Sequence, residues 1–344
     1  MQEIQRINFK EVTDKDAWEK CVLSFPKSNF LQSWYWGDFH LSLGHKIIRE
    51  GIFFGENLVG VSLYIIEKAR RGTYMIVPGG PLIDWNNKML VDAVCDRMRD
   101  IGKEENVVFV RVRPQILDTN DNQELFKSLG FKVAPTHLHA ELTSELDLSI
   151  SLTDILKNMR KQTRYEIKKA EKLGIQVLET TDPDAIKDFY DIQIKTAVRQ
   201  KFVPFSYEFL YEQFKIFAKE GFAKLYTAKL EDKVLAQAFV IFYGHEGAYH
   251  YGASTEDGRN FPGAYAIQWK AIEEAKNRGL KAYNFWGVAP EGHRKHRFYP
   301  ISIFKRGFGG SDVAYLHARD LVIDLPRYLV AFTVEYVRKI RRRL

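Results

Sequence analysis

Two stretches of this 344-residue chain carry the same order of elements. In the first, apolar alternation marks strands over 46–54, 58–68 and 73–77, joined by turns at Gly55-Glu56-Asn57 and Arg70-Arg71-Gly72. The break Pro78-Gly79-Gly80-Pro81 follows, then an amphipathic helix over 88–104 and a buried strand over 107–112. In the second, strands over 223–230, 234–243 and 248–253 lead to the break Arg259-Asn260-Phe261-Pro262-Gly263, a helix over 264–278 and a strand over 282–286. Leu58-Val59-Gly60 corresponds to Val234-Leu235-Ala236, 176 positions later. A near-constant offset across several elements marks an internal duplication. It restricts the chain to two copies of one α/β unit.

The flanking segments fill out each copy. A strand is expected over 4–12, a helix capped by Asp14 to about 25, and a helix over 34–43 capped by Ser33. A short helix over 123–129 and a strand over 140–148 complete the first half. The second half opens with a continuous helical pattern over 151–173, a strand over 175–179, a helix started by Asp182-Pro183, and another capped by Ser206. A last helix is expected over 328–343. The length suits two domains, placed at 1–149 with the C-terminal helix at about 316–344, and at 150–315. Three antiparallel strands, a Gly-rich turn, a helix and a parallel strand resemble the GNAT acyltransferase fold. The expected class is α/β (α+β) with two tandem GNAT-like domains. In that fold the turn before the helix holds a carrier's pyrophosphate on backbone N–H groups. Neither break matches its motif, because prolines stand where donors belong.

Composition narrows the function. A content of 45% hydrophobic and 28% charged residues belongs to a globular protein, and the net charge of +7 is compatible with a polyanionic partner. Cys21 and Cys95 are isolated, and His250, His293 and His296 lack zinc-ligand spacing. No His-Glu-x-x-His, P-loop or Gly-x-Ser-x-Gly occurs, so no metal and no cofactor is expected. Met1 is followed by no apolar signal region, and no apolar run reaches the ~18 residues of a membrane span. The expected location is cytoplasmic, with the basic surface compatible with peripheral contact at the inner face of the membrane.

The stretch 284–310 interleaves aromatic, basic and glycine residues, as a loop that clamps an anionic ligand would. Phe30-Leu31-Gln32-Ser33-Trp34-Tyr35-Trp36, Asn158-Met159-Arg160-Lys161-Gln162-Thr163-Arg164-Tyr165, Tyr249-His250-Tyr251-Gly252-Ala253-Ser254 and Phe304-Lys305-Arg306-Gly307-Phe308-Gly309-Gly310 together resemble the FemABX family. These are the non-ribosomal peptidoglycan bridge-forming aminoacyltransferases. The resemblance implies a substrate cleft near the domain junction. It implies transfer of an amino acid from aminoacyl-tRNA to the stem-peptide amine of a muropeptide precursor, nucleotide- or lipid-linked. Some members carry a long helical hairpin in the second domain. Here Leu173-Gly174 passes directly into a strand, as in the compact, arm-less members.

The implied site follows from the motifs. Lys305 would stabilise the tetrahedral intermediate or the leaving ribose oxygen, and Phe304 would stack on the terminal adenosine. Arg199 takes the position of a phosphate-binding arginine, with Lys201 nearby. Tyr207, Tyr251, Gln32 and Trp36 would meet the acceptor. The basic run 157–172 holds seven Lys/Arg against two Glu, and Arg160, Lys161, Arg164 and Lys168 are the expected tRNA contacts. Arg338, Lys339, Arg341, Arg342 and Arg343 form a second cluster that suits tRNA or anionic lipid. Two rival readings share features with this one: a GNAT-fold N-acyltransferase using acyl-CoA or another carrier, and a non-enzymatic tRNA-binding protein.

Overall fold

The computed structural model describes residues 7–69, 72–200, 203–296 and 298–342. The expected strand start at Ile4, the turn residues Arg70 and Arg71, and the basic residues Lys201 and Arg343 lie outside the described residues. The chain divides into two compact units, Met1–Glu141 with Ala314–Leu344, and Leu142–Val313.

The first unit starts with β1 (Ile7–Glu11), α1 (Lys15–Ser24), α2 (Trp34–Ser42), β2 (Lys46–Phe54), β3 (Asn57–Ala69) and β4 (Gly72–Gly79). It continues through α3 (Lys88–Glu104), β5 (Phe109–Pro114), α4 (Asn120–Ser128) and the short β6 (Lys132–Val133). Helix starts are set by side chains that accept otherwise unpaired N–H groups: Asp14 takes those of Asp16 and Ala17, and Ser33 takes that of Trp36. Strands β1 to β4 pair antiparallel in sequence, and α3 crosses over so that β5 pairs parallel to β4. The crossover is held by its spacing of Leu90, Val91, Val94, Cys95, Met98 and Ile101, all buried. Each large aliphatic side chain so buried contributes about 1.5–3 kcal/mol.

The second unit runs β7 (Leu142–Asp147), α5 (Leu152–Asn158), α6 (Lys161–Lys172), β8 (Gln176–Thr180), α7 (Ile186–Gln200), α8 (Tyr207–Lys219), β9 (Ala223–Leu230), β10 (Lys233–Tyr243) and β11 (Glu246–Ser254). Then come α9 (Gly263–Asn277), β12 (Ala282–Gly287), α10 (Tyr299–Arg306) and β13 (Ser311–Ala314). The chain ends in the first unit with β14 (Arg319–Val322) and α11 (Leu325–Arg342).

The two sheets repeat each other. Their orders are β1-β2-β3-β4-β5-β14-β6 and, read in the same sense, β8-β9-β10-β11-β12-β7-β13. The fourth and fifth strands are parallel in both. Even the irregularities repeat. Pairing skips Val59 between Leu58 and Gly60, and skips Leu235 between Val234 and Ala236, so each copy carries a β-bulge at the same place in the aligned triplet.

One expectation needs correction. The helical pattern over 151–173 is broken at Met159 and Arg160, which are extended rather than helical. The Arg160 N–H donates to Gly307 O at 2.9 Å, and the Arg164 guanidinium folds back onto the carbonyls of Lys157 and Met159. The Gly307 carbonyl and the Arg164 side chain thus take over what the next helical turn would have supplied. Arg160 therefore stands at the N-cap of α6 rather than inside a continuous helix. In the first unit the helix expected over 88–104 is α3, with a short bridge between it and the Gly79-Gly80 break. Leu82 first bridges to Val61, and α3 starts later, capped by Asn87.

Candidate active site

The two units differ where their parallel strands run. In the first, β4 and β5 pair from Met75↔Val110 to Gly79↔Pro114. In the second, β11 and β12 pair only from Glu246↔Ala282 to Ala248↔Asn284 and then separate. Two local features open them. Pairing of β11 with β10 jumps from Tyr251 to Tyr249, leaving His250 as a bulge. On β12, the Asn284 side chain accepts the Trp286 N–H at 2.8 Å, and Trp286 adopts φ 62°, a left-handed conformation that a bulky residue rarely takes. Asn284 is itself fixed by donating to Glu246 at 3.1 Å. The wedge between the strands is flanked by the His250 and Trp286 rings, 5.4 Å apart and perpendicular. Strained, diverging strands of this kind make room for a ligand at the sheet's parallel edge.

Lys305 sits against this wedge. It lies on α10, is 9% exposed, and its Nζ donates to Gly287 O, the last residue of β12, at 2.7 Å. The Tyr249 ring lies 5.7 Å from the same nitrogen. With no carboxylate to offset burial, its pKa is pulled down from the usual lysine range to about 7. Such an amine exchanges a proton at neutral pH. Helix α10 is pinned to the strand end by further contacts: Ser302 Oγ accepts the Ala289 N–H at 2.7 Å, and Arg306 donates to Ala289 O at 2.6 Å while pairing with Asp312. Phe304, on the same helix, is half-buried with its ring against Tyr265 at 4.9 Å and Phe308 at 5.3 Å.

The motif glycines explain how α10 is seated. A Cβ on Gly307 would stand 2.5 Å from Thr163 Oγ1. Gly309, at φ +88°, packs against the carbonyl of Asn158. The basic motif around Arg160 and the Phe304–Gly310 motif, far apart in sequence, are thus one joint.

Arg199 stands at the end of α7, half-buried beside the end of β11. Among the described residues its Nη2 makes long contacts, 3.3 Å to Ser254 O and 3.4 Å to Thr196 Oγ1. Its Nε is buried and has no hydrogen-bond partner among the described residues. Tyr251 belongs to a ring cluster with His250 at 4.0 Å, Phe205 at 5.3 Å and Phe239 at 5.7 Å, and enclosure pushes its pKa upward. Tyr207 is exposed, between the Tyr190 and Tyr211 rings.

The other expected residues fall elsewhere. Gln32 is fully buried in the first unit, where its amide donates to Pro78 O at 2.7 Å and accepts the Leu63 N–H at 2.9 Å. That side chain braces strands β3 and β4, and its hydrogen-bonding atoms are spent on backbone. Trp36 is enclosed among Phe30, Phe39, His40 and His139. Both fit a packing role rather than direct acceptor contact. Arg160, Lys161 and Lys168 are exposed, whereas Arg164 is half-buried and engaged at the α5–α6 elbow.

Sequence reasoning missed Tyr249, His250 and Trp286 as site formers. His250 bonds Gln213 at 2.9 Å, and burial pushes its pKa down to about 3, so it is neutral. The available signal was a polar His inside an apolar strand pattern. His40, His45 and Glu67 form the one metal-like cluster found among the described residues. His45 turns Nδ1 to His40 at 2.9 Å and Nε2 to Glu67 at 3.6 Å.

Comparisons with known proteins bear on the family and the fold. The FemAB family model matches residues 13–234 and 218–316. A lipid II:glycine glycyltransferase of Staphylococcus epidermidis is 21% identical over 397 aligned positions, covering 94% of this chain and 93% of the relative. That span is longer than the chain itself, so the relative carries segments absent here. A crystal structure of FemX superposes with a TM-score of 0.84 at 18% identity, covering 94% of this chain and 99% of FemX. A tandem GNAT protein from the clavulanic acid biosynthesis pathway follows at 0.56 and 9% identity, covering 92% and 99%. With both repeats inside the family match, this chain belongs to the FemAB family.

Proposed function

We propose that this chain is an aminoacyltransferase that moves an amino acid from aminoacyl-tRNA to the stem-peptide amine of a lipid-linked peptidoglycan precursor. The observation that carries the reading is the buried Lys305 amine at the mouth of the β11–β12 wedge. Support for the acceptor comes from the relative named for lipid II and glycine. The acceptor amine attacks the ester carbonyl of the donor. A C–N bond forms, the C–O bond to the ribose breaks, and the amine's proton ends on the ribose oxygen. Lys305, charged, stabilises the developing oxyanion and hands a proton to the leaving oxygen; its pKa near 7 lets it regain one from the attacking amine. Arg199 supplies the fork for the acceptor's diphosphate. Tyr207 and Tyr251 border the acceptor, and Phe304 offers a ring edge to the terminal adenosine. Arg160, Lys161 and Lys168 face the donor's phosphates as exposed cations.

Radiolabelled aminoacyl-tRNA incubated with lipid-linked and UDP-linked muropeptide tests the reading. Label is expected on the lipid-linked precursor. Absence of label from every aminoacyl-tRNA pool, with acylation from acyl-CoA instead, would overturn it in favour of the carrier-dependent N-acyltransferase.

A further inference from the structure

Helix α11 has two unlike faces. Tyr328, Ala331, Phe332 and Glu335 recur at helical spacing and hold it to the first unit. Tyr328 and Ala331 pack on Val108 and Phe109, Tyr328 Oη donates to Asp320 at 3.1 Å, and Glu335 pairs with Arg111 at 3.0 Å. That docking leaves the opposite face outward. On it stand Leu329, Val330, Thr333, Tyr336, Val337 and Ile340, all exposed, Val330 at 60% and Ile340 at 61%. At 100° per residue these six occupy one continuous arc. Arg327, Arg338 and Arg341 lie on one side of it. The only acid on the helix, Glu335, is turned inward and paired.

An outward apolar stripe is costly in water and marks a contact surface. We infer that α11 is an interfacial helix that lays this stripe into the surface of an anionic lipid bilayer. Its pattern of apolar residues flanked by cations, without an exposed acid, complements anionic headgroups. A second copy of the chain is the poorer occupant. Packing this face on its own copy would bring two cation-flanked helices together, and like charges repel. The helix does not cross the bilayer, since no helix among the described residues is long and apolar enough. The inference deepens the reading of a lipid-linked acceptor, because it brings the enzyme to the surface where that acceptor resides.

Vesicle sedimentation tests it without any peptidoglycan precursor. The full chain is mixed with vesicles of phosphatidylcholine alone and of phosphatidylcholine with phosphatidylglycerol. Partitioning to the anionic vesicles is expected to exceed that to neutral ones by about tenfold or more and to fall with salt. The double variant Val330→Glu/Val337→Glu should lose about tenfold or more of that partitioning. Its thermal unfolding should be unchanged. Equal sedimentation of wild type and variant overturns the inference, as does a wild-type dimer in light scattering that the variant splits. Because the vesicles contain no acceptor, anionic binding survives even if the transferase reading fails.

Discussion

Replacing Lys305 with Met separates catalysis from folding at one position. The amine is buried, bonded to Gly287 O, and shifted from 10.5 to about 7. A proton lost that easily in the folded state is held more tightly in the unfolded chain. At pH 7 this mismatch costs the fold roughly 4 kcal/mol, at ~1.36 kcal/mol per pKa unit. Methionine removes the mismatch but leaves the Gly287 carbonyl without its donor, a loss of about 1–3 kcal/mol. The variant should therefore be more stable than wild type near neutrality, by roughly 1–3 kcal/mol on balance. The sign with pH follows directly. Between about pH 7 and 10.5 the unfolded chain binds more protons than the folded one, so wild-type stability gains from rising pH, and the variant lacks that gain. Urea unfolding of both proteins at about pH 7 and pH 8.5 should show the variant's advantage shrinking by roughly 1.5–2 kcal/mol. Transfer activity should fall about 100-fold or more. A stability difference that does not change with pH would refute a depressed amine, and undiminished turnover would remove Lys305 from the chemistry.

Other substitutions probe the remaining parts. Arg199→Ala should raise KM for a diphosphate-bearing acceptor about tenfold or more with kcat little affected, measured in steady-state kinetics; an unchanged KM would take Arg199 out of phosphate binding. Gly307→Ala forces a Cβ to 2.5 Å from Thr163 Oγ1 and 3.0 Å from Phe304 O, and should cost about 1–3 kcal/mol by urea midpoint; a neutral result would mean the joint yields freely. Asp320→Ala leaves the buried Arg111 without its bidentate partner, now held at 2.7 and 2.9 Å, and should destabilise by about 3–5 kcal/mol. Thermal unfolding within a degree of wild type would show that Glu335 alone satisfies Arg111.

Much of the fold was legible because it rests on local chemistry. Asp14, Ser33 and Ser206 mark helix starts with their own side chains. The duplication was visible down to the triplets that carry the matching bulges. The elbow at Met159–Arg160 was not, because the groups that satisfy it are Gly307 O and a guanidinium folded back from Arg164. A pattern of seven basic residues over 157–172 looks like one helix until those partners are known. Gln32 and Trp36 illustrate the same gap. Polar and aromatic letters in a motif do not say whether a side chain faces a ligand or, as here, is enclosed by its own unit.

The sequence by itself determined the repeated α/β units, the family motifs and the choice of Lys305, since each is written in residue type and spacing. Tertiary structure alone decided that only the second unit's parallel strands part, because that depends on the His250 bulge and the left-handed turn at Trp286. It also decided that Lys305 is buried with a pKa near 7, and that α11 turns its apolar stripe outward. Burial and strand divergence are properties of what surrounds a residue, and the surroundings come from chain segments that spacing along the sequence does not bring together.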